Sequence, residues 1–144
     1  LPAYAECGGL MYLARPIEWA QDGKVEKCPM LASIDADSVM EKRPQGRGYV
    51  QLQETENSLW PGTSDKTICA HEFHYSRFKT TGKTLPKNAK FAYHVKRGTG
   101  INGESDGFIY KNLLANYTHQ RNTRNNPWTE RFITFARACK TLSI

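Results

Sequence analysis

The stretch "YAECGGLMYL", residues 4–13, decides how the rest of the chain is read. A short apolar run ends in Glu6. A thiol, Cys7, follows at once, and then two glycines and an apolar segment. The run before Cys7 reads as a strand. "GGLMYLAR" reads as a helix, with Leu10, Leu13 and Ala14 at spacing i, i+3, i+4 on one face. Pro16 marks its end, because the residue before a proline is pushed out of the helical region. A strand, a nucleophile, two small residues and a helix in succession have the form of a nucleophile elbow. Such a turn lifts the side chain above the sheet edge, and glycines let it close without a clash. In that reading the helix start favours the thiolate, and the Gly8 amide points to where an oxyanion forms. The competing reading of the same residues is a buried structural cysteine beside a glycine turn.

A cysteine nucleophile needs a base. The histidines are His71, His74, His94 and His119. In "ANYTHQ", His119 closes an apolar run. That places it at the C-terminal end of an expected strand, where catalytic groups of open α/β sheets collect. "HEFH" at 71–74 lacks the spacing of a zinc-binding HExxH helix. On a strand, His71 and His74 face opposite sides. No metal site is expected there, and a ligand-contacting strand end fits better.

Strands are expected at "MLASI" (30–34), "YVQLQ" (49–53), "KTICAHEFHYS" (66–76) and "KFAYHV" (90–95). "FIYKN" and "LLANYTH" read as two further strands, or as one strand and a bend. "QDGK", "RPQGRG", "NSLWPGTSD", "TTGKTLPKN" and "KRGTGINGESDG" read as turns and loops. The terminal segment reads as a helix. Asn126 is the expected cap, Pro127 suits the first turn, and Glu130 sits near the positive end. Trp128, Phe132, Phe135, Ala136, Cys139 and Leu142 form its apolar stripe. No repeat, low-complexity tract or linker interrupts the chain, so residues 1–144 are expected to form one domain or part-domain.

The 144 residues suffice to bury a core. The net charge is +6, and the basic excess is uneven. From His71 to Gly100, Arg77, Lys79, Lys83, Lys87, Lys90, Lys96 and Arg97 face one acid, Glu72. Such a stretch suits an anionic partner. A nucleic-acid partner ranks last, because zinc-finger spacing, an RNA-recognition signature and a basic helix are all missing. No apolar run reaches the length of a membrane span, and the first residues lack the basic start of a signal peptide. Cys7, Cys28, Cys69 and Cys139 show no paired spacing, so reduced thiols in a cytoplasmic protein are expected.

Together, "AECGGLMYL", "GYVQLQ", "HEFHYS", "DGFIYKNLLANYTH" and the terminal helix resemble the C-terminal glutamine amidotransferase domain of the cobyrinic acid a,c-diamide synthase family. The resemblance implies an α/β fold, part of a class I glutamine amidotransferase-like (flavodoxin-like) open sheet with flanking helices. The N-terminal strands of that domain would lie outside this chain, together with a glycine loop that gives a second oxyanion-hole donor. Carried over residue by residue, Cys7 matches the nucleophile, His119 the general base and Gly8 the oxyanion-hole amide.

The resemblance also implies partners. Glutamine is the ammonia source, and a tetrapyrrole polycarboxylate is the acceptor. ATP and Mg²⁺ serve a synthetase domain of the same polypeptide, since no GxxxxGK[ST] occurs here. Tyr49, Phe73, His74 and Tyr75 are candidate substrate contacts, and the basic stretch 77–97 could attract a polyacid. Amidation of a sirohydrochlorin-type ring and a non-catalytic anion-binding module on the same fold are the alternatives. An exposed sheet edge would favour a homo-oligomer, and low activity is expected of this chain alone.

Two positions depart from related enzymes. Many carry Glu two residues after the histidine, where Arg121 stands here, so the acid that orients His119 is expected to be absent. Many carry Gln four residues after the cysteine, where Met11 stands here, which favours the a,c-diamide branch.

Overall fold

A computed structural model describes residues 1–62, 65–79 and 89–141. Strand β1 (Ala3–Glu6) leads through Cys7 into helix α1 (Gly8–Leu13). A hairpin of β2 (Pro16–Gln21) and β3 (Lys24–Pro29) follows, and then β4 (Asp37–Met40), β5 (Gly46–Glu54), β6 (Ile68–His74) and β7 (Ser76–Lys79). The last elements are β8 (Lys90–Arg97), β9 (Ser105–Tyr110), β10 (Leu113–Asn116), the short β11 (His119–Gln120) and helix α2 (Trp128–Thr141).

These strands form two sheets within a mixed α/β fold. The larger runs β1-β10-β9-β8-β5-β6-β11, and the smaller β3-β2-β4-β7. β1 pairs with β10 in parallel, while the other pairings of the large sheet are antiparallel. Alternation sets the faces. In β6, Ile68, Ala70, Glu72 and His74 point inward, while Cys69, His71 and Phe73 point outward. In β10 the neighbours Leu114 and Ala115 serve opposite faces, each in a different apolar cluster.

One cluster gathers Val50, Leu52, Trp60, Ile68 and Tyr93, covered by Trp128, Phe132 and Phe135 of α2. Tyr4, Trp60, Trp128 and Phe132 contact one another ring to ring, at centroid distances of 4.8–6.4 Å. The other cluster packs Leu10 of α1 with Ile34, Ala36, Phe108, Ala115 and Tyr117. Full burial of one such side chain is worth about 1.5–3 kcal/mol. Both helices are thus held by packing; six residues of α1 would not hold a helix in water.

The sheet order has a consequence for its shape. β1 and β11 are the two ends of the large sheet, yet only residues 117–118 separate β11 from β10, the strand that pairs with β1. The sheet therefore curls until its ends meet. At the meeting point the Gln120 N–H of β11 donates to Glu6 Oε1 of β1, 3.0 Å away.

Several expectations change. Residues 30–34 are not a strand. Their amides turn back to the end of α1: Leu31, Ala32 and Ile34 donate to the carbonyls of Tyr12, Ala14 and Leu13. Those carbonyls lie at and just beyond the helix end, where helical partners run out, and Ala32 takes a left-handed φ of 55° to reach them. The strand in this region is β4, further on. "QDGK" is a turn as expected, but it joins two strands that the reading left out. Asp22 and Gly23 both have positive φ, 50° and 76°, which is the two-residue hairpin geometry an Asp-Gly pair supports. The cap of α2 also differs. Asn122 Oδ1 accepts from the Thr129 amide (3.3 Å), whereas the Asn126 side chain donates to Gln120 Oε1 (3.0 Å). The stripe residue Leu142 and the loop "TTGKTLPKN" lie outside the described residues.

Candidate active site at the closure of the sheet

Cys7 stands between β1 and α1 with φ 48° and ψ −101°, a conformation that few side chains accept. Positions of this kind cost about 1–3 kcal/mol and persist where the surroundings over-determine them. Here the surroundings are specific. The Cys7 amide donates to the Asn116 carbonyl at 2.8 Å, and the Cys7 carbonyl accepts from Met11 at 3.1 Å. The parallel register Glu6↔Asn116 sets both elements side by side.

Sγ of Cys7 lies 4.0 Å from the main-chain oxygen of Phe73 on β6. Burial pushes the Cys7 thiol above its ordinary value. The Gly8 amide, turned toward the sulfur, opposes the rise, and the charge of Glu6 adds to it. The sequence pattern suggests a thiolate at a helix start; burial outweighs that pull. A thiol held in this way needs a base to become a nucleophile.

His119 is the first residue of β11, opposite His71 of β6. The two rings stack with centroids 5.0 Å apart and planes 17° from parallel. His71 and Phe73 lie on one face of β6, two positions apart. The thiol at Phe73 and the ring at His71 are therefore brought to neighbouring positions of the same strand. Nδ1 of His119 is 3.4 Å from Glu6 Oε2. A carboxylate thus faces His119, carried by the residue before Cys7. Its other oxygen accepts from Tyr4 Oη at 2.6 Å as well as from Gln120. Burial and the nearby Glu6 charge push the Tyr4 hydroxyl far up, so it stays a donor.

The turn leading into His119 is held from below. Asp106 is buried, and its two oxygens accept from the amides of Tyr117 and Thr118 at 3.0 Å each. Burial pushes its carboxyl up, against the hydrogen bonds it receives. The Asn116 side chain also donates to the Thr118 carbonyl.

Beside His119 opens a groove of about 820 Å³, lined in part by Tyr49, His71, Phe73, His119 and Arg121. Of the four candidate contacts, Tyr49 and Phe73 reach it, and they are 82% and 53% exposed. Tyr75 packs edge-on against Phe73, with centroids 5.7 Å apart. His74 is turned the other way. It is 4% exposed, stacks on Tyr117 at 3.9 Å, and stands 3.5 Å from Glu72. Burial pushes the Glu72 carboxyl up, but the His74 ring and the amides of Gly100 and Thr99 outweigh it and hold it low. Strand alternation is the reason: odd positions of β6 face the groove, and even positions face the interior. The basic stretch divides as well. Arg77 lies in the small sheet, paired with Glu41 at 2.6 Å, and Lys90, Lys96 and Arg97 lie in the large one. Lys83 and Lys87 fall outside the described residues.

The residue that sequence reasoning missed is Glu6. Its signal was a charge at the end of the apolar strand "AYAE", two positions from Tyr4 and so on the same face.

Comparison with known proteins bears on the family and the fold. The chain is 40% identical over 119 residues to a cobyrinate a,c-diamide synthase of Magnetococcus marinus, covering 83% of this chain and 24% of the relative. It is 37% identical over 132 residues to that of Archaeoglobus fulgidus, covering 92% and 27%. The chain thus spans about a quarter of the length of these curated relatives. Among solved structures, a GMP synthase-type protein of Thermoplasma acidophilum superposes with a TM-score of 0.61 at 16% identity, over 99% of this chain and 60% of the other. A glutamine amidotransferase of Thermotoga maritima gives 0.50 at 17%, over 96% and 50%. At these identities the two structures speak for the fold. Residues 1–127 match the CobB/CobQ-like glutamine amidotransferase domain, and the chain belongs to that family.

Proposed function

We propose that this chain is the glutamine-hydrolysing part of an ATP-dependent amidoligase that converts side-chain carboxylates of a tetrapyrrole polyacid, of the cobyrinic acid a,c-diamide type, to amides. The observation that carries the reading is His119 held against Glu6, the residue before the strained Cys7, in a chain of this family.

The chemistry follows from the groups present. His119 Nε2 takes the proton of the Cys7 thiol, and the sulfur attacks the side-chain amide carbon of glutamine. The oxyanion that forms is met by the Gly8 amide. The imidazolium then gives its proton to the departing nitrogen, which leaves as ammonia. Water, deprotonated by the same ring, opens the thioester to glutamate and restores the thiol. Tyr49 and Phe73 line the groove next to this centre and are assigned to substrate contact. ATP and Mg²⁺ belong to a synthetase part of the polypeptide. This chain carries no phosphate-cradling GxxxxGK[ST] and, among the described residues, no cluster of three side chains able to hold a metal, so no step here runs through them.

The test is amidation by the polypeptide that joins this chain to its synthetase part. Cys7→Ala is expected to abolish the glutamine-dependent reaction and to leave the reaction with added ammonia intact. Unchanged glutamine-dependent turnover would make the thiol structural and leave the family assignment as a statement about fold.

A further inference from the structure

Related enzymes place the orienting acid two residues after the histidine, and here that position is Arg121. We infer that Glu6, the residue before the nucleophile, is the positioning carboxylate for His119. The inference rests on the Cys7–His119 reading above. Four observations carry it.

The first is the geometry. Oε2 faces His119 Nδ1 at 3.4 Å, at the long end of what a catalytic contact shows in an unliganded site. The second is the division of labour between the two oxygens. Oε1 is taken by the Tyr4 hydroxyl and the Gln120 amide, so the carboxylate cannot rotate without losing both, and Oε2 is left for the ring. The third is the fixed plane of the ring, set by stacking on His71. The fourth is adjacency: the carboxylate and the thiol are carried by consecutive residues, so a single strand end positions both base and nucleophile.

The consequence is a defined tautomer. A carboxylate accepts only, so Nδ1 carries the hydrogen and donates it to Oε2. Nε2 is then left with its lone pair, free to take the proton of Cys7. Glu6 itself exchanges no proton. It acts through the ring, by orienting it and by stabilising the imidazolium once it forms, as the acid does in the serine triad.

Glu6→Gln separates this role from a purely structural one. The amide oxygen can still accept from Tyr4 and Gln120. The NH₂ then faces Nδ1, which must become an acceptor, and the hydrogen moves to Nε2, where it blocks the base. Two readouts on this chain test it. Nitrogen-15 spectra of histidine-labelled protein at neutral pH should show His119 protonated on Nδ1 in the wild type and on Nε2 in Glu6→Gln.

The second readout is inactivation by a chloroketone analogue of glutamine, whose chloride the Cys7 sulfur displaces. Its limiting rate should fall about 10²-fold in Glu6→Gln, with the half-saturating concentration within about threefold. A wild-type tautomer in Glu6→Gln, or an unchanged limiting rate, would overturn the assignment. If the wild-type thiol is not labelled ahead of Cys28, Cys69 and Cys139, the nucleophile reading fails instead, and the tautomer still decides the role of Glu6. Should Glu6→Gln not fold, Glu6→Asp keeps the charge and must keep hydrogen on Nδ1.

Discussion

The two sheets of this molecule are built on different terms. The large one buries side chains on both faces, under α2 on one side and α1 on the other. It also bends until its ends touch at Glu6. The small one buries Asp37, Ser38 and Ser76 but is open along β3. All six residues of β3 are exposed, and Trp19 and Val25 of the hairpin are more than half exposed. Its side-chain ties include the ion pair Lys27–Glu18, with Glu18 buried, and the more exposed pair Arg77–Glu41, the latter of a kind that contributes little. The strained Cys7 at the end of β1, His119 and the buried Asp106 all lie at the sheet that is clamped from both faces. Strain of that order needs a stiff surround, and the two-sided packing of the large sheet supplies one.

Substitutions can break this contrast. The largest effect is expected at Trp60, 2% exposed at the centre of the ring cluster. Trp60→Ala should cost about 3–5 kcal/mol in urea unfolding. A cost below about 1 kcal/mol would mean that the cluster is not what anchors α2. Asp106→Asn comes next. It leaves one of the two amides of Tyr117 and Thr118 facing an NH₂, at a cost of about 1–3 kcal/mol, and a variant as stable as wild type would show that the turn does not depend on paired acceptance. The smallest effect is expected on β3, where Val25→Ala should change stability by less than about 0.5 kcal/mol. A loss comparable to that of Asp106→Asn would show β3 to be part of the cooperative core.

The same contrast explains what could be read in advance. Strands β5 and β6 alternate, as in "YVQLQ", because one set of their side chains is buried. Their positions were legible for that reason, and so was the elbow, whose glycines and thiol follow each other directly. "KVEKCP" is exposed throughout, and the one fully buried residue of "PIEWAQ" is the charged Glu18, so no apolar period marks either. Only the Asp-Gly pair between them betrays the hairpin. "MLASI" looked like a strand because its residues are apolar, but its backbone is spent on the end of α1. The inward turn of His74 was legible in principle from the alternation of β6, once Phe73 was assigned outward. The approach of Glu6 to His119 was not, because it depends on a partner at the far end of the chain.

That distance also fixes when the centre comes into being. The hydrogen bond from Gln120 to Glu6 spans 114 residues, among the most non-local contacts of the fold. Closing so long a loop is entropically costly and comes late unless much of the chain between is already ordered. A partly folded chain therefore has Cys7 and His119 on unconnected segments. Cys7 and His119 are brought together with the last long-range contacts, so on the proposed reading folding intermediates carry no armed cysteine.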